Sequence, residues 1–147
     1  MKKICLSIVL SILVAAALHA QKSEVNLTNG VAANGYDVVS YFADGKPVKG
    51  INQFAFSWNN ATWYFSSKAH LDSFKTNPDK YAPQFGGYCA YGVSENHKAP
   101  TSADAWTIVN GKLYLNYNTD VMAKFRKDIN NRIDLANKNW PSVKMKG

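Results

Sequence analysis

The stretch Asn77-Pro-Asp-Lys-Tyr-Ala-Pro-Gln-Phe-Gly-Gly-Tyr-Cys-Ala-Tyr-Gly92 joins the two halves of the chain. Pro78 and Pro83 restrict its backbone, whereas Gly86-Gly87 allows a sharp turn or a close approach to another element. Cys89 follows directly, between two tyrosines. We interpret its thiol either as a small core residue or as a ligand at the edge of a pocket, because free cysteine is commonly buried and is also a soft metal ligand.

Strand patterns lie on both sides of this stretch. The run at 35–42 is rich in β-formers and predicts a strand. Asn59-Asn60 separates two aromatic-rich runs within 54–65, which predicts a β-hairpin. Asn110-Gly111 divides 106–117 in the same way and is the clearest hairpin signal in the chain, because both residues tolerate positive φ.

A short helix is predicted after the first hairpin. Ser66 or Ser67 can cap it, and Leu71 and Phe74 would point inward. The helix should stop at Asn77, because the residue before a proline disfavours helical geometry.

A long helix is predicted from Thr119 to Asn139, with Pro141 after its end. Its apolar residues recur at spacings of 3, 4, 4, 3 and 4 and should face the core; they are Met122, Phe125, Ile129, Ile133, Ala136 and Trp140. The elements together predict an α+β fold: antiparallel β-hairpins form a small sheet packed against this C-terminal helix, with a short helix after the hairpin that ends at residue 65.

The first 20 residues carry an export pattern. Two lysines precede an apolar run that is too short to span a bilayer comfortably, and Ala20 ends a small-residue site. We expect a signal peptide cleaved after Ala20, and hence a periplasmic or secreted protein; the alternative is an uncleaved membrane anchor. Residues 21–34 are interpreted as a flexible leader, 35–141 as one domain and 142–147 as a C-terminal tail.

Charge and cysteine content narrow the function. The chain has 17 Lys and Arg against 10 Asp and Glu, a net charge of +7, but the basic residues are scattered rather than clustered. This distribution argues against a nucleic-acid partner. Loss of Cys5 with the signal peptide would leave Cys89 alone, so stability must come from packing rather than from an intrachain disulfide.

Several motifs together resemble the small exported YHS-domain proteins of bacteria. The resemblance rests on Gly35-Tyr-Asp-Val-Val-Ser-Tyr-Phe42, Trp63-Tyr-Phe-Ser66, Asn77-Pro-Asp-Lys-Tyr-Ala-Pro83, Gly86-Gly-Tyr-Cys-Ala-Tyr91, Gly111-Lys-Leu-Tyr-Leu-Asn116 and Asn139-Trp-Pro141. It covers most of the chain beyond the signal peptide. It implies a short α+β domain related in its first half to the cysteine-containing modules of copper-transporting ATPases and some hydroxylases, which are presumed to bind metal.

The metal-binding positions of those relatives differ here. Asp37-Val-Val-Ser40 resembles their Asp-Pro-Val-Cys segment, and Tyr64-Phe-Ser-Ser-Lys-Ala-His70 resembles their Tyr-Phe-Cys-Ser-x-x-Cys segment. Serine therefore replaces two cysteines and His70 replaces the third. Serine hydroxyls are poor ligands for soft metals, which prefer thiolate and imidazole. If copper or another soft metal ion is bound, the ligands expected are Cys89 and His70.

Other candidates have ordinary structural interpretations. His97 lies in a polar loop and is expected to be exposed. Asp37 and Asp104 could pair in acid–base chemistry, but aspartates beside turns usually accept backbone hydrogen bonds. Eight aromatic residues could line a ligand-binding face or form core and cross-strand pairs; they are Trp58, Trp63, Tyr64, Tyr88, Tyr91, Trp106, Tyr114 and Tyr117.

Three classes of function follow from these residues. The first is a non-catalytic module that binds a small ligand or an envelope protein. The second is a metal-handling protein of the copper type that uses Cys89 and His70. The third is a thiol-dependent enzyme, which would need Cys89 exposed and its thiolate stabilised. We assign no catalytic residue and no cofactor other than copper or another soft metal ion at Cys89 and His70, and we expect non-catalytic binding.

Overall fold

The structure is a computed structural model that describes residues 24–147. The predicted signal peptide lies outside these residues. The described strands are β1 (Leu27–Thr28), β2 (Val31–Ala32), β3 (Ile51–Trp58), β4 (Ala61–Phe65), β5 (Trp106–Val109) and β6 (Lys112–Leu115). The described α-helices are α1 (Ser40–Ala43), α2 (Lys68–Thr76), α3 (Pro78–Tyr81), α4 (Ala90–Ser94), α5 (Thr119–Lys127) and α6 (Ile129–Val143). The α+β class expected from the sequence is confirmed.

The first four strands form one sheet in the order β1-β2-β4-β3. The β3–β4 pair is antiparallel and turns at Asn59 and Asn60, whose φ angles are 51° and 56°. Two consecutive positive φ values are the geometry of a type I′ turn, so this hairpin forms as predicted. The β2–β4 pair is parallel, with Val31 opposite Thr62.

The second hairpin forms a separate sheet of β5 and β6 around Asn110 and Gly111. The prediction placed both hairpins in one small sheet. They form two separate sheets instead, and consecutive side chains of β6 face two different cores. Leu113 and Leu115 belong to the core of the first sheet, whereas Tyr114 packs against the C-terminal helices.

The segment from 24 to 34 is part of the fold rather than a flexible leader. It supplies β1 and β2, and Val25 and Ala32 are 2% and 0% exposed. Gly86 lies against it with a φ of +61°, so close that an added Cβ would meet the carbonyl oxygen of Glu24 at 1.8 Å. Two-residue strands are too short to show a hydrophobic period, which is why the sequence pattern did not predict them.

The predicted strand at 35–42 is wrong. Asp37 Oδ1 accepts hydrogen bonds from the backbone N–H groups of Val39 and Ser40, and Ser40 Oγ donates to the Asp37 carbonyl. Such local bonds favour a turn or helix start over a strand, and α1 begins here. Only Tyr36 keeps a bridge, to Lys49.

The short helix α2 agrees with the prediction. Ser67 is its cap, accepting a hydrogen bond from the backbone N–H of His70 at 3.1 Å, and Asn77 follows its last residue. Phe74 is fully buried and packs against Phe65 and Trp63, with ring centroids 5.0 and 5.2 Å apart.

The long C-terminal helix is divided in two. Asp128 has φ −139° and ψ 51° and lies between α5 and α6. Its side chain accepts a hydrogen bond from the Asn131 amide, and its carbonyl accepts from the Arg132 N–H in the first turn of α6. The apolar stripe still faces the second core through Phe125 and Ala136, with Ile129, Ile133 and Trp140 packed against it.

The helix does not end before Pro141, and residues 142–147 are not simply a tail. Pro141 lies inside α6, which continues to the fully buried Val143. Lys98 Nζ donates to the carbonyl groups of Lys144 and Lys146 just beyond the helix. Packing of Val143 and these donated bonds offset the hydrogen bond that proline cannot make.

Candidate functional site

Asp37 is the centre of a buried hydrogen-bond cluster. The residue is 0% exposed. Besides its two bonds to α1, its Oδ2 atom accepts from the backbone N–H of Ser66 at 2.9 Å, from Ser66 Oγ at 2.6 Å and from His70 Nδ1 at 2.6 Å. A buried carboxylate requires such donors to offset its desolvation. Asp37 therefore links α1, the end of β4 and the first turn of α2.

The same cluster orients His70. A carboxylate oxygen can only accept, so Nδ1 donates to Asp37, and in the neutral imidazole Nε2 then carries the lone pair. The side chain is 17% exposed. One ring nitrogen is thus fixed by a buried acid, while the other remains available for a hydrogen bond or a metal ion.

The positions that resemble the relatives' cysteines meet in this cluster. Ser40, Ser66 and His70 all contact Asp37, although they are far apart in the sequence. Both serine hydroxyl groups already donate within the cluster, at 2.6 Å in each case. A hydrogen-bonded network thus joins these three positions, and His70 Nε2 is the one ring nitrogen there without a bond among residues 24–147.

Cys89 belongs to a different network, at the start of α4. It is 1% exposed. Its Sγ atom accepts from the backbone N–H groups of Gly92 at 3.4 Å and Tyr117 at 3.3 Å, and it donates to Asn116 Oδ1 at 3.5 Å. Burial raises the pKa of the thiol; backbone N–H groups, that of Gly92 first, offset part of this rise. The sulfur is thus held in its neutral form and away from solvent.

No hydrogen bond in the described part of the chain joins Cys89 to His70, and their use as a metal pair stays a prediction. The bonding partners of His70 are Asp37, Ser66 and Ser67, and Cys89 shares none of them. Across residues 24–147, no group of three or more His, Cys, Asp and Glu side chains converges in a way that could hold a metal ion.

The remaining histidine and acid candidates are placed as follows. His97 is exposed, as expected. Its ring nonetheless lies near Cys89, because a Cβ built on Gly92 would be 3.4 Å from His97 Nε2 and 3.5 Å from Cys89 Cβ. Asp104 is exposed, whereas Asp37 is buried among its own donors. Asp37 therefore accepts hydrogen bonds from backbone N–H groups, as expected for an aspartate beside a turn.

Most of the candidate aromatic residues pack in cores. Trp63 lies in the first core, with Trp58 and Trp106 packed against it; Tyr114 lies in the second, with Tyr88 and Tyr91 packed against that core. Tyr117 is 52% exposed, and Tyr64 is half-buried in the wall of a surface cavity.

Two polar contributors were missed by sequence reasoning. Asn116 is 0% exposed; its Oδ1 accepts from the Tyr91 backbone N–H, and its Nδ2 has no partner among the described residues. Arg132 of α6 pairs with Glu95 and lies 4.3 Å from the centroid of the Tyr91 ring. A buried asparagine has no distinctive sequence pattern, whereas Arg132 lies on the polar side of a predicted helix and could have suggested a cross-helix ion pair.

Within residues 24–147, no helix has the length and apolar character needed to cross a bilayer. Comparison with curated proteins found no significant match, and comparison with solved structures found none either. The model of one protein family does match, the YHS domain, over residues 39–85. The matched range includes Ser40, Ser66 and His70, whereas Asp37 and Cys89 fall outside it. Residues 39–85 of this chain therefore match the YHS domain, which confirms the YHS resemblance predicted from the motifs for this part of the chain.

Proposed function

We propose that this protein is a non-catalytic binding module of the cell envelope, and that the Nε2 atom of His70 contacts its ligand or partner. One observation carries the proposal. A buried aspartate holds the opposite nitrogen of the ring at 2.6 Å, which fixes the direction in which Nε2 points. Preorganised polar groups lower the cost of ordering a site on binding.

The geometry of the two nucleophile candidates argues against catalysis. In a serine hydrolase the hydroxyl faces His Nε2, while the acid binds Nδ1. Ser66 Oγ instead donates to Asp37 and lies 3.5 Å from Nδ1, on the acid side of the ring. The Cys89 thiol is buried and its pKa is raised, which is the opposite of an activated thiolate.

Reactive probes test the non-catalytic assignment. The folded chain that begins at Gln21 is treated with a fluorophosphonate, which labels activated serines, and with iodoacetamide, which labels accessible thiols. We expect neither to label the folded protein, and we expect iodoacetamide to label Cys89 once urea unfolds it. Rapid labelling of Ser66 or Cys89 in the folded protein would contradict the proposal.

Ligand binding at His70 is tested by NMR of protein labelled with ¹⁵N in its histidine rings. Small molecules extracted from the cell envelope are added to wild type, His70→Ala and His97→Ala. We expect a ligand that shifts the His70 ring signals, no binding by His70→Ala, and unchanged binding by His97→Ala, which is the matched loss of an exposed imidazole. A ligand that binds all three proteins equally would remove His70 from the site.

A metal-handling function is the second candidate, and the Asp37–His70 pair favours it. Histidines that bind metals almost always donate their other ring nitrogen to a carboxylate, carbonyl or water. The cysteine set of the relatives does not fit, because Ser40 and Ser66 use their hydroxyl groups within the cluster. Of that set, only His70 could ligate, so its other ligands would come from elsewhere.

Cu(I) titration under a competing chelator separates the two candidates. The metal-free protein is compared with Cys89→Ser, His70→Ala and His97→Ala. If His70→Ala alone loses binding, metal handling replaces the first candidate and Cys89 is excluded as a ligand. Loss in both Cys89→Ser and His70→Ala would restore the pair predicted from the sequence, and equally weak binding by all four would exclude metal handling.

A further inference from the structure

A surface cavity of about 390 Å³ lies beside the first sheet, away from the bonds that hold His70. It is lined by the turn between β1 and β2, by the residues that lead into β3, and by Tyr64 of β4. We call it the asparagine groove, after Asn29, Asn34 and Asn52, which line it together with Lys49 and Tyr64. Its volume is at the small end of the range for ligand sites.

Two glycines of the groove wall lie against Tyr64. An added Cβ on Gly50 would lie 2.5 Å from the carbonyl carbon of Tyr64, so only glycine fits at this crossing. An added Cβ on Gly35 would lie 3.8 Å from Tyr64 Cδ2. Bare backbone therefore flanks Tyr64, and its half-buried ring forms part of the groove wall.

The polar groups of the groove fall into a fixed set and a free set. Asn34 is fixed, since it donates to the Thr101 carbonyl at 2.8 Å and accepts from Thr28 Oγ1 at 2.9 Å. Asn29 and Asn52 are exposed, and neither side chain amide has a hydrogen bond within residues 24–147. Each free amide offers two donors and an acceptor, which suits a ligand rich in hydroxyl groups.

The charge of the groove has one sign. Lys49 is exposed, its Nζ lies 5.1 Å from the centroid of the Tyr36 ring, and no described carboxylate forms an ion pair with it. No acidic residue lines the groove. A ligand that carries a carboxylate would therefore meet attraction and no opposing charge. The groove has no arginine, the residue best suited to bidentate phosphate binding, so a phosphate ligand is less favoured.

We propose that the asparagine groove binds an acidic saccharide: Tyr64 packs against the apolar face of a sugar ring, Asn29 and Asn52 bond its hydroxyl groups, and Lys49 pairs with its carboxylate. Tyrosine suits this role because it combines an apolar ring with a polar tip. The site is distinct from His70, so it stands or falls independently of the function proposed above.

The test compares three probes on the folded chain from Gln21: tri-galacturonate, its neutral methyl ester and inorganic phosphate. Backbone NMR shifts locate the bound probe, and calorimetry gives its affinity. We expect tri-galacturonate to shift groove residues, to bind more tightly than the ester, and to weaken as salt is added. Phosphate binding as tight as that of tri-galacturonate, or shifts outside the groove, would overturn the proposal.

Two substitutions distinguish the contribution of the Lys49 charge to binding from that of the Tyr64 ring. Lys49→Gln should weaken the binding of tri-galacturonate roughly three- to fivefold, the ratio expected for loss of an exposed charge pair, and should leave the affinity for the methyl ester unchanged. Tyr64→Leu should weaken the binding of both saccharides, because packing of the Tyr64 ring against a sugar does not depend on the charge of the sugar. Lys112→Gln removes an exposed lysine from the other hairpin and is the matched control. Unchanged NMR spectra away from the groove establish that each variant is folded, and equal losses in Lys49→Gln and Lys112→Gln would refute a groove-specific contact.

Discussion

Replacing Asp37 by Ala should lower the free energy of unfolding by more than the loss of one hydrogen bond would, because the carboxylate accepts several. The carboxylate is the acceptor for the backbone N–H groups of Val39 and Ser66, and no other acceptor for either is apparent among the described contacts. Ser40 N–H also reaches the Asp37 carbonyl, and the Ser66 hydroxyl and the His70 ring can reorient. The buried Val39 amide would be orphaned at about 1–3 kcal/mol, and the partly buried Ser66 amide would cost less; together they predict a loss of about 2–4 kcal/mol of unfolding free energy.

The substitution Asp37→Asn should cost less. Asparagine keeps one acceptor oxygen, while its NH₂ group faces Ser66 and His70. The Ser66 hydroxyl can rotate and His70 can change tautomer to accept from it, so mainly the Ser66 N–H is left without a partner. We therefore expect a loss of about 1–2 kcal/mol, between those of wild type and Asp37→Ala.

Urea unfolding at pH 7, followed by tryptophan fluorescence, measures these differences. Asp104→Ala removes an exposed aspartate and should change the unfolding free energy by no more than about 0.5 kcal/mol. The slope against urea must stay constant for the values to be compared. If Asp37→Ala loses less than about 1 kcal/mol, or if Asp37→Asn is as damaging, the cluster does not act as a set of hydrogen-bond acceptors.

Three further predictions follow from the core, the thiol and the N-terminal segment. Phe125→Ala should cost about 3–5 kcal/mol in urea unfolding, since this fully buried ring packs against Tyr114, and a change within error would show that α5 is not docked. The raised pKa of Cys89 means that the thiol ionises first in the unfolded chain; its contribution is therefore present below about pH 8.5 and lost as pH rises through the folded pKa. Wild type should thus lose more stability at alkaline pH than Cys89→Ala, and parallel pH profiles would refute this. For export, intact-mass measurement of the envelope fraction should show a chain that begins at Gln21, whereas full-length protein in the cytoplasm would contradict cleavage.

Local sequence signals predicted the elements that depend on local chemistry. Asn59-Asn60 and Asn110-Gly111 form their turns because these residues accept positive φ, and Ser67 caps α2. The stripe around Phe125 is buried because a helical period fixes which side chains share a face.

The missed N-terminal strands and the missed pairing at the site have a common cause in bonds between distant parts of the chain, whereas the wrong strand at 35–42 reflects local bonds of Asp37. Val25 is buried because Asn26 N–H donates to the Gly86 carbonyl, 60 residues away along the sequence, and no local pattern reveals this contact. The site is similar: Asp37 and His70 were both singled out, but their pairing depends on how α1 and α2 meet. Cys89 was interpreted either as a core residue or as a ligand; the fold buries it, and its partner Asn116 became visible only there.

The two-sided strand β6 determines how the chain can be divided. A fragment that ends at residue 85 would contain every residue matched to the YHS domain, but it would lack Leu113 and Leu115, which are buried in the core around them. Separating the second core would in turn expose Tyr114. Each half therefore depends on the same four-residue strand, so the two cores should melt in one cooperative transition, and recombinant boundaries drawn at the family match would give an incomplete folding unit.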